Sequence, residues 1–119
     1  MIRITVCIIL ALGLGACSVL PTEQHSTDAT DTLLAQANAK AANGETQQAI
    51  ATLERAVRLQ PRNAQAWLRL AELYLEQGQY RKAEQFAGRA QQFAAGDRQL
   101  LRRSEAVIKQ AREQQKLTG

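Results

Sequence analysis

The spacing of apolar positions changes character twice along the chain. Ile4 to Leu14 is a nearly unbroken apolar run behind the single cation Arg3. From Ser18 to Thr30 the chain is polar, carries Pro21, and shows neither a helical stripe nor strand alternation. Beyond Asp31 apolar residues recur every three to four positions, which is the spacing of one helix face. This pattern predicts five helices, roughly Thr32 to Ala42, Thr46 to Leu59, Ala64 to Gln77, Tyr80 to Ala94 and Arg98 to Lys116. The punctuation agrees with them. Gly44 and Gly78 suit the left-handed conformation that closes a helix C-terminus, Pro61 blocks continuation after Leu59, and Gly96 stops the fourth helix. Asp31, Asn63 and Asp97 precede apolar-periodic runs as candidate N-caps. The expectation is an all-α fold.

An internal repeat organises these helices. Offsetting the chain by 34 residues superposes Gly44 on Gly78, Ala37 on Ala71, Ala49 on Ala83, Ala56 on Ala90, and Leu33 on Trp67 and then Leu101. Trp67, Leu70, Ala71, Tyr74, Gly78, Tyr80, Ala83 and Ala90 resemble the tetratricopeptide signature within one repeat. The first copy supplies Ala37, Gly44, Ala49, Leu53, Ala56 and Pro61, but has Leu33 and Lys40 where the family usually carries tryptophan and tyrosine. The resemblance implies two helix-turn-helix repeats followed by a capping helix, an α-solenoid. On that cap Leu100, Leu101, Ser104, Val107, Ile108 and Ala111 form a stripe to be buried, opposite Arg102, Arg103, Lys109, Arg112 and Glu113. Two repeats and a cap fall short of the three usually needed, so modest stability or dimerisation is expected.

Family arrays generally bind a partner segment along the concave surface made by the first helix of each repeat. Carried onto this chain, the groove positions are Leu34 and Asn38 in the first repeat, Gln65, Leu68, Glu72 and Leu75 in the second, and Arg102 and Lys109 on the cap. Leu68 and Leu75 would supply apolar contact while Arg102 and Lys109 attract a carboxylate. The competing assignment for Leu34, Leu68 and Leu75 is packing between neighbouring helices.

The apolar N-terminal run is too short to span a bilayer as a permanent helix and reads as a signal peptide. It ends in Leu14-Gly15-Ala16-Cys17, which resembles the lipobox of bacterial lipoproteins. That resemblance implies a signal peptide over 1–16, a lipidated Cys17 with a flexible tether over 17–30, and the repeat domain over 31–119. Cys17 would carry a covalent diacylglycerol and an N-acyl chain, enough for durable anchoring. Cys7 would leave with the signal, so no disulfide framework is expected. Ser18 follows the cysteine where an aspartate would often retain a lipoprotein in the inner membrane, which implies the periplasmic face of the outer membrane.

Composition narrows the chemistry further. The 4% aromatic content leaves few platforms for glycans, and charge is uneven: Glu23, Asp28 and Asp31 make the tether acidic while the repeats and cap are basic. Export argues against nucleic acid, and most of the surface arginines fit ordinary solvated charge. The only histidine, His25, has no metal-ligand neighbours in sequence. No paired carboxylates, nucleophile with a base, phosphate loop or ligand cluster is present, so neither catalysis nor a cofactor or metal is expected. A small lipid-anchored protein with about two repeats and a short tether resembles the lipoprotein activators of bifunctional peptidoglycan synthases, the class A penicillin-binding proteins. That implies binding of the synthase's periplasmic region. Two alternatives are a pilotin-like or assembly-factor lipoprotein for an outer-membrane secretin or barrel, and a periplasmic carbohydrate-binding or wall-remodelling enzyme.

Overall fold

The computed structural model describes residues 22–119, with side chains from residue 27 onward. Its elements are α1 (Thr22–Ala42), α2 (Thr46–Leu59), α3 (Ala64–Glu76), α4 (Tyr80–Gln92) and α5 (Arg98–Thr118), with no strand among the described residues. The fold is all-α. α1 packs on α2 and α3 on α4 as antiparallel hairpins, and α5 lies against α4 and α3. α1, α3 and α5 thus run side by side along one face.

Local chemistry explains the boundaries. At the end of α1 the Glu45 N–H donates to the Lys40 carbonyl and the Gly44 N–H to the Ala41 carbonyl, at 2.9 and 3.0 Å. At the end of α3, Gln79 donates to Tyr74 and Gly78 to Leu75 at the same two distances. These are two copies of one Schellman closure, 34 residues apart, and each requires the positive φ of its glycine, +80° at Gly44 and +74° at Gly78. Helix starts are fixed by side chains: Asn63 accepts from the Ala66 N–H, and Asp97 accepts from the N–H groups of Gln99 and Leu100.

The core is built from a few leucines packed against several alanines. Leu53, Leu68, Leu70 and Leu73 are fully buried, and Ala37, Ala49, Ala71, Ala83 and Ala90 between them have no exposed surface. Alanine at these seams lets helix axes approach closely while each buried leucine contributes about 2 kcal/mol of apolar transfer energy. Trp67 and Tyr74 on α3 flank Phe86 on α4, with ring centroids 5.5 and 5.3 Å apart.

The N-terminal boundary differs from expectation. α1 begins at Thr22, so residues 22–30, expected as tether, are helical, Asp31 is an exposed mid-helix residue instead of a cap, and His25 falls within α1. No glycine or proline interrupts 22–42, and tertiary contact supplies what local pattern lacks. Thr30 is fully buried, and Thr27 Oγ1 accepts from Gln60 Nε2 at 3.0 Å across the hairpin. Packing of this kind overrides weak local propensity. The signal segment 1–16 and Cys17 lie outside the described residues.

Candidate functional site: the groove between α1, α3 and α5

The concave face is floored by α3 and walled by α1 and α5. Arg69 on α3 bridges to both sides: its Nε donates to Asn38 Oδ1 on α1 at 2.8 Å, and its Nη1 donates to Glu72 Oε2 one turn along at 3.3 Å. The other oxygen, Glu72 Oε1, accepts from Arg103 Nη2 on α5. One half-buried carboxylate therefore joins two guanidinium groups, and the chain Asn38–Arg69–Glu72–Arg103 ties the three helices together. Two cations facing one anion leave a net positive charge, and each guanidinium keeps unused donors in a planar fork.

This network divides two clefts. The first, of about 280 Å³, is lined by Leu34, Asn38, Gln65, Leu68, Arg69, Glu72 and Arg103. The second, of about 450 Å³, continues along α3 and α5 past Leu75, Glu76, Ala106, Val107 and Gln110. The groove positions expected on the first two odd-numbered helices come together: Leu34, Asn38, Gln65, Leu68 and Glu72 line the first cleft and Leu75 the second. Leu68, however, is only 2% exposed and belongs to the core, so it shapes the cleft wall without offering much contact surface.

The cap positions lie apart from these clefts. Arg102 and Lys109 are exposed and line neither cleft. The buried stripe of α5 is Leu100, Ser104, Val107 and Ala111, and at about 100° per residue Arg102 and Lys109 lie roughly 170° round the helix from it. Arg103 and Gln110, on the flank of the stripe, turn toward α3 instead. Arg69 and Arg103 are the site residues that sequence reasoning missed. A usable signal existed for Arg103, which sits three residues from Leu100 and four from Val107.

The groove offers recognition and little else. Its polar groups are three amides, two guanidiniums and two carboxylates, of which Glu72 is engaged by the guanidiniums and Glu76 is exposed, a set suited to holding an extended segment by hydrogen bonds and charge. Among the described residues no cluster of three or more His, Cys, Asp or Glu could hold a metal ion. No described helix is long and apolar enough to cross a membrane.

Comparison with known proteins agrees with this geometry. The tetratricopeptide repeat family model matches residues 40–108, more than half of the chain. Among solved structures the chain is similar to the globular C-terminal domain of P. aeruginosa LpoP, with a TM-score of 0.70 and 38% sequence identity, over 73% of this chain and 82% of that one. A search of curated proteins gave no match.

Proposed function

The chain belongs to the tetratricopeptide repeat family, a protein-interaction fold, and from that premise we propose that it is a lipid-anchored, non-catalytic activator or scaffold for a bifunctional peptidoglycan synthase. The observation that carries this reading is the 38% identity to the LpoP C-terminal domain across 82% of that domain, joined to the lipobox-like Leu14-Gly15-Ala16-Cys17. Cys17 holds the acyl chains, with anchoring at the periplasmic face of the outer membrane. The groove between α1, α3 and α5 binds a segment of the synthase's periplasmic region. Activation follows if the synthase exposes that segment more favourably in its active conformation, since a ligand shifts an equilibrium only by its differential affinity for the two states.

The helical start at Thr22 sets the reach. Five peptide steps from Cys17 to Thr22 span at most about 17 Å, and the 21 residues of α1 add about 31 Å. The synthase segment must therefore come within about 50 Å of the anchoring leaflet.

The test is glycan polymerisation by a purified bifunctional synthase with and without the lipidated protein. A Gln65→Glu plus Asn38→Leu variant alters exposed groove residues while leaving the core untouched. Stimulation by the native protein and its loss in the variant are expected. Crosslinked capture of secretin or barrel components in place of a synthase would replace this reading with the escort alternative.

A further inference from the structure

In the up-and-down arrangement the start of α1, the α2–α3 turn and the α4–α5 turn share one end of the molecule. Three contacts fix this: Gln60 Nε2 donates to Thr27 Oγ1, the Arg62 guanidinium lies 5.9 Å from the Phe93 ring centroid, and that of Arg89 lies 5.7 Å from the Trp67 ring. It is also the end at which the chain leads back toward Cys17.

The side chains presented there are unusual for this protein. Leu59 is 52% exposed, one of only two large apolar residues so exposed among the described residues, and Pro61 beside it is exposed too. Arg62 stands beside them, and Arg58 in the last turn of α2 and Arg98 at the start of α5 lie at the same end; all three are exposed, and none makes an ion pair among the described residues. The Asp97 carboxylate at this end is occupied in capping α5. Asp97 is itself exposed, and with Asp28 and Asp31 on α1 it offsets part of the positive field.

We propose that this tip, formed by Arg58, Leu59, Pro61, Arg62 and Arg98, docks on the anionic surface of the membrane that holds the lipid anchor. Proximity to the membrane rests on the proposed anchor at Cys17, whereas the tip's charge and apolarity are independent of it. Level with Gln60 is Thr27, so α1 overshoots the tip by about 7 Å, and the stretch from Cys17 to Thr22 reaches up to about 17 Å. The tether is thus long enough to let the tip reach the surface and too short to carry it far away. Each arginine brought to an anionic surface strengthens attachment by roughly fivefold, and Leu59 and Pro61 insert apolar surface between the headgroups. Docked this way the groove points along α1, away from the bilayer, so the tip sets the orientation in which a partner meets the groove.

The protein carries its own reporter. Trp67 is the only tryptophan, and its Nε1 donates to the Pro61 carbonyl at 2.7 Å, directly behind the tip. Mature lipidated protein is reconstituted into phosphatidylcholine vesicles or phosphatidylglycerol-containing vesicles, each with a nitroxide quencher on a fraction of headgroups. Trp67 fluorescence is expected to be quenched severalfold more on the anionic vesicles and to recover at about 1 M salt, where the screening length falls to about 3 Å. The Arg58→Gln, Arg62→Gln, Arg98→Gln triple variant is expected to lose that difference. Leu59→Ser, which leaves the Arg62 and Phe93 contact in place, should weaken quenching at unchanged charge. Equal quenching on both vesicle types, or an unaltered difference in both variants, overturns the proposal. So does absence of quenching combined with loss of synthase capture by the tip variants, which assigns the tip to a protein partner. Flotation with neutral vesicles reports the Cys17 anchor separately. A protein that fails to float there refutes the anchor, while its quenching on anionic vesicles still decides the tip.

Discussion

The Tyr74 hydroxyl on α3 donates to Glu54 Oε1 on α2 at 3.1 Å, a hydrogen bond that crosses from the second repeat to the first. The ring is buried against Phe86, and Lys82 Nζ lies over it, 5.0 Å from its centroid. Burial first, and then the Glu54 carboxylate, push the Tyr74 phenol above its ordinary value. Tyr74→Phe keeps the ring and removes the bond, so it should cost about 0.5–1.5 kcal/mol and lower Tm by several degrees, measured by calorimetry. Because the folded-state pKa is raised, this contribution is fully present below the ordinary phenol range near about 10 and is lost as pH rises through the higher folded value. In an alkaline absorbance titration, Tyr74→Phe should remove a transition that lies above the ordinary phenol range. If the transition removed lies within or below that range, the assignment is contradicted.

A second inter-helix contact gives a prediction on the acid side. Glu84 on α4 accepts from Arg112 Nε at 2.7 Å and from Gln115 Nε2 at 3.1 Å, both on α5. The Arg112 bond, followed by that of Gln115, holds the Glu84 carboxyl below the usual carboxylate range. A depressed pKa contributes stability that is present above the ordinary carboxylate value and is lost as pH falls through the lower folded value. The pair is solvent-accessible, so its energetic worth is small, and the titration itself is the better readout. In Arg112→Gln the Glu84 side-chain carboxyl resonance should titrate at higher pH than in the native protein. An unchanged midpoint would show that Arg112 does not govern it.

Much of this fold was legible because its boundaries depend on residues with special backbone chemistry. Gly44, Gly78 and Pro61 each stop a helix for reasons independent of tertiary context, and Asn63 and Asp97 announce starts. Thr22 announces nothing: the turns before Thr32 are polar, and what orders them is the burial of Thr30 and the bond from Gln60 to Thr27, both long-range. The groove divides the same way. Leu34, Asn38, Gln65 and Glu72 could be placed because the repeat period transfers position from one copy to the next. The cap belongs to no complete repeat, so its register had to come from its own stripe. Carrying the repeat groove positions onto the cap gave Arg102 and Lys109, while Arg103, on the flank of the buried stripe, is the cation that reaches Glu72.

Ala95 separates α4 from α5 with φ of +48°, the only non-glycine residue at positive φ among those described. An L-residue with a Cβ is strained in this left-handed region by about 1 kcal/mol or more. Glycine relieves the strain but gives the unfolded chain more freedom, which offsets part of the gain. Ala95→Gly should therefore stabilise the domain by up to about 1 kcal/mol, measured as an increase in the urea midpoint at constant slope. A fall in the midpoint would mean that the residue's conformation is not strained.

The groove assignment predicts that folding and binding separate along α3. Leu68 is 2% exposed and touches the cleft only at its wall, so Leu68→Ala should cost about 2–5 kcal/mol through lost packing, and any loss of partner binding would follow from partial unfolding. Gln65, one turn earlier, is exposed and lines the same cleft. Gln65→Ala should leave stability within about 0.5 kcal/mol of native while weakening partner binding. Glu72→Gln falls between them: it weakens the tie to Arg69 and Arg103, at a stability cost of about 1 kcal/mol for a partly buried carboxylate joined to two partly exposed guanidiniums, and raises the groove's charge by one. An acidic segment would then bind more tightly at low salt, with a steeper loss as salt is added. Titration calorimetry of the three variants at two ionic strengths distinguishes the cases. If Gln65→Ala and Glu72→Gln both leave affinity unchanged while Leu68→Ala alone reduces it, the partner binds outside this groove.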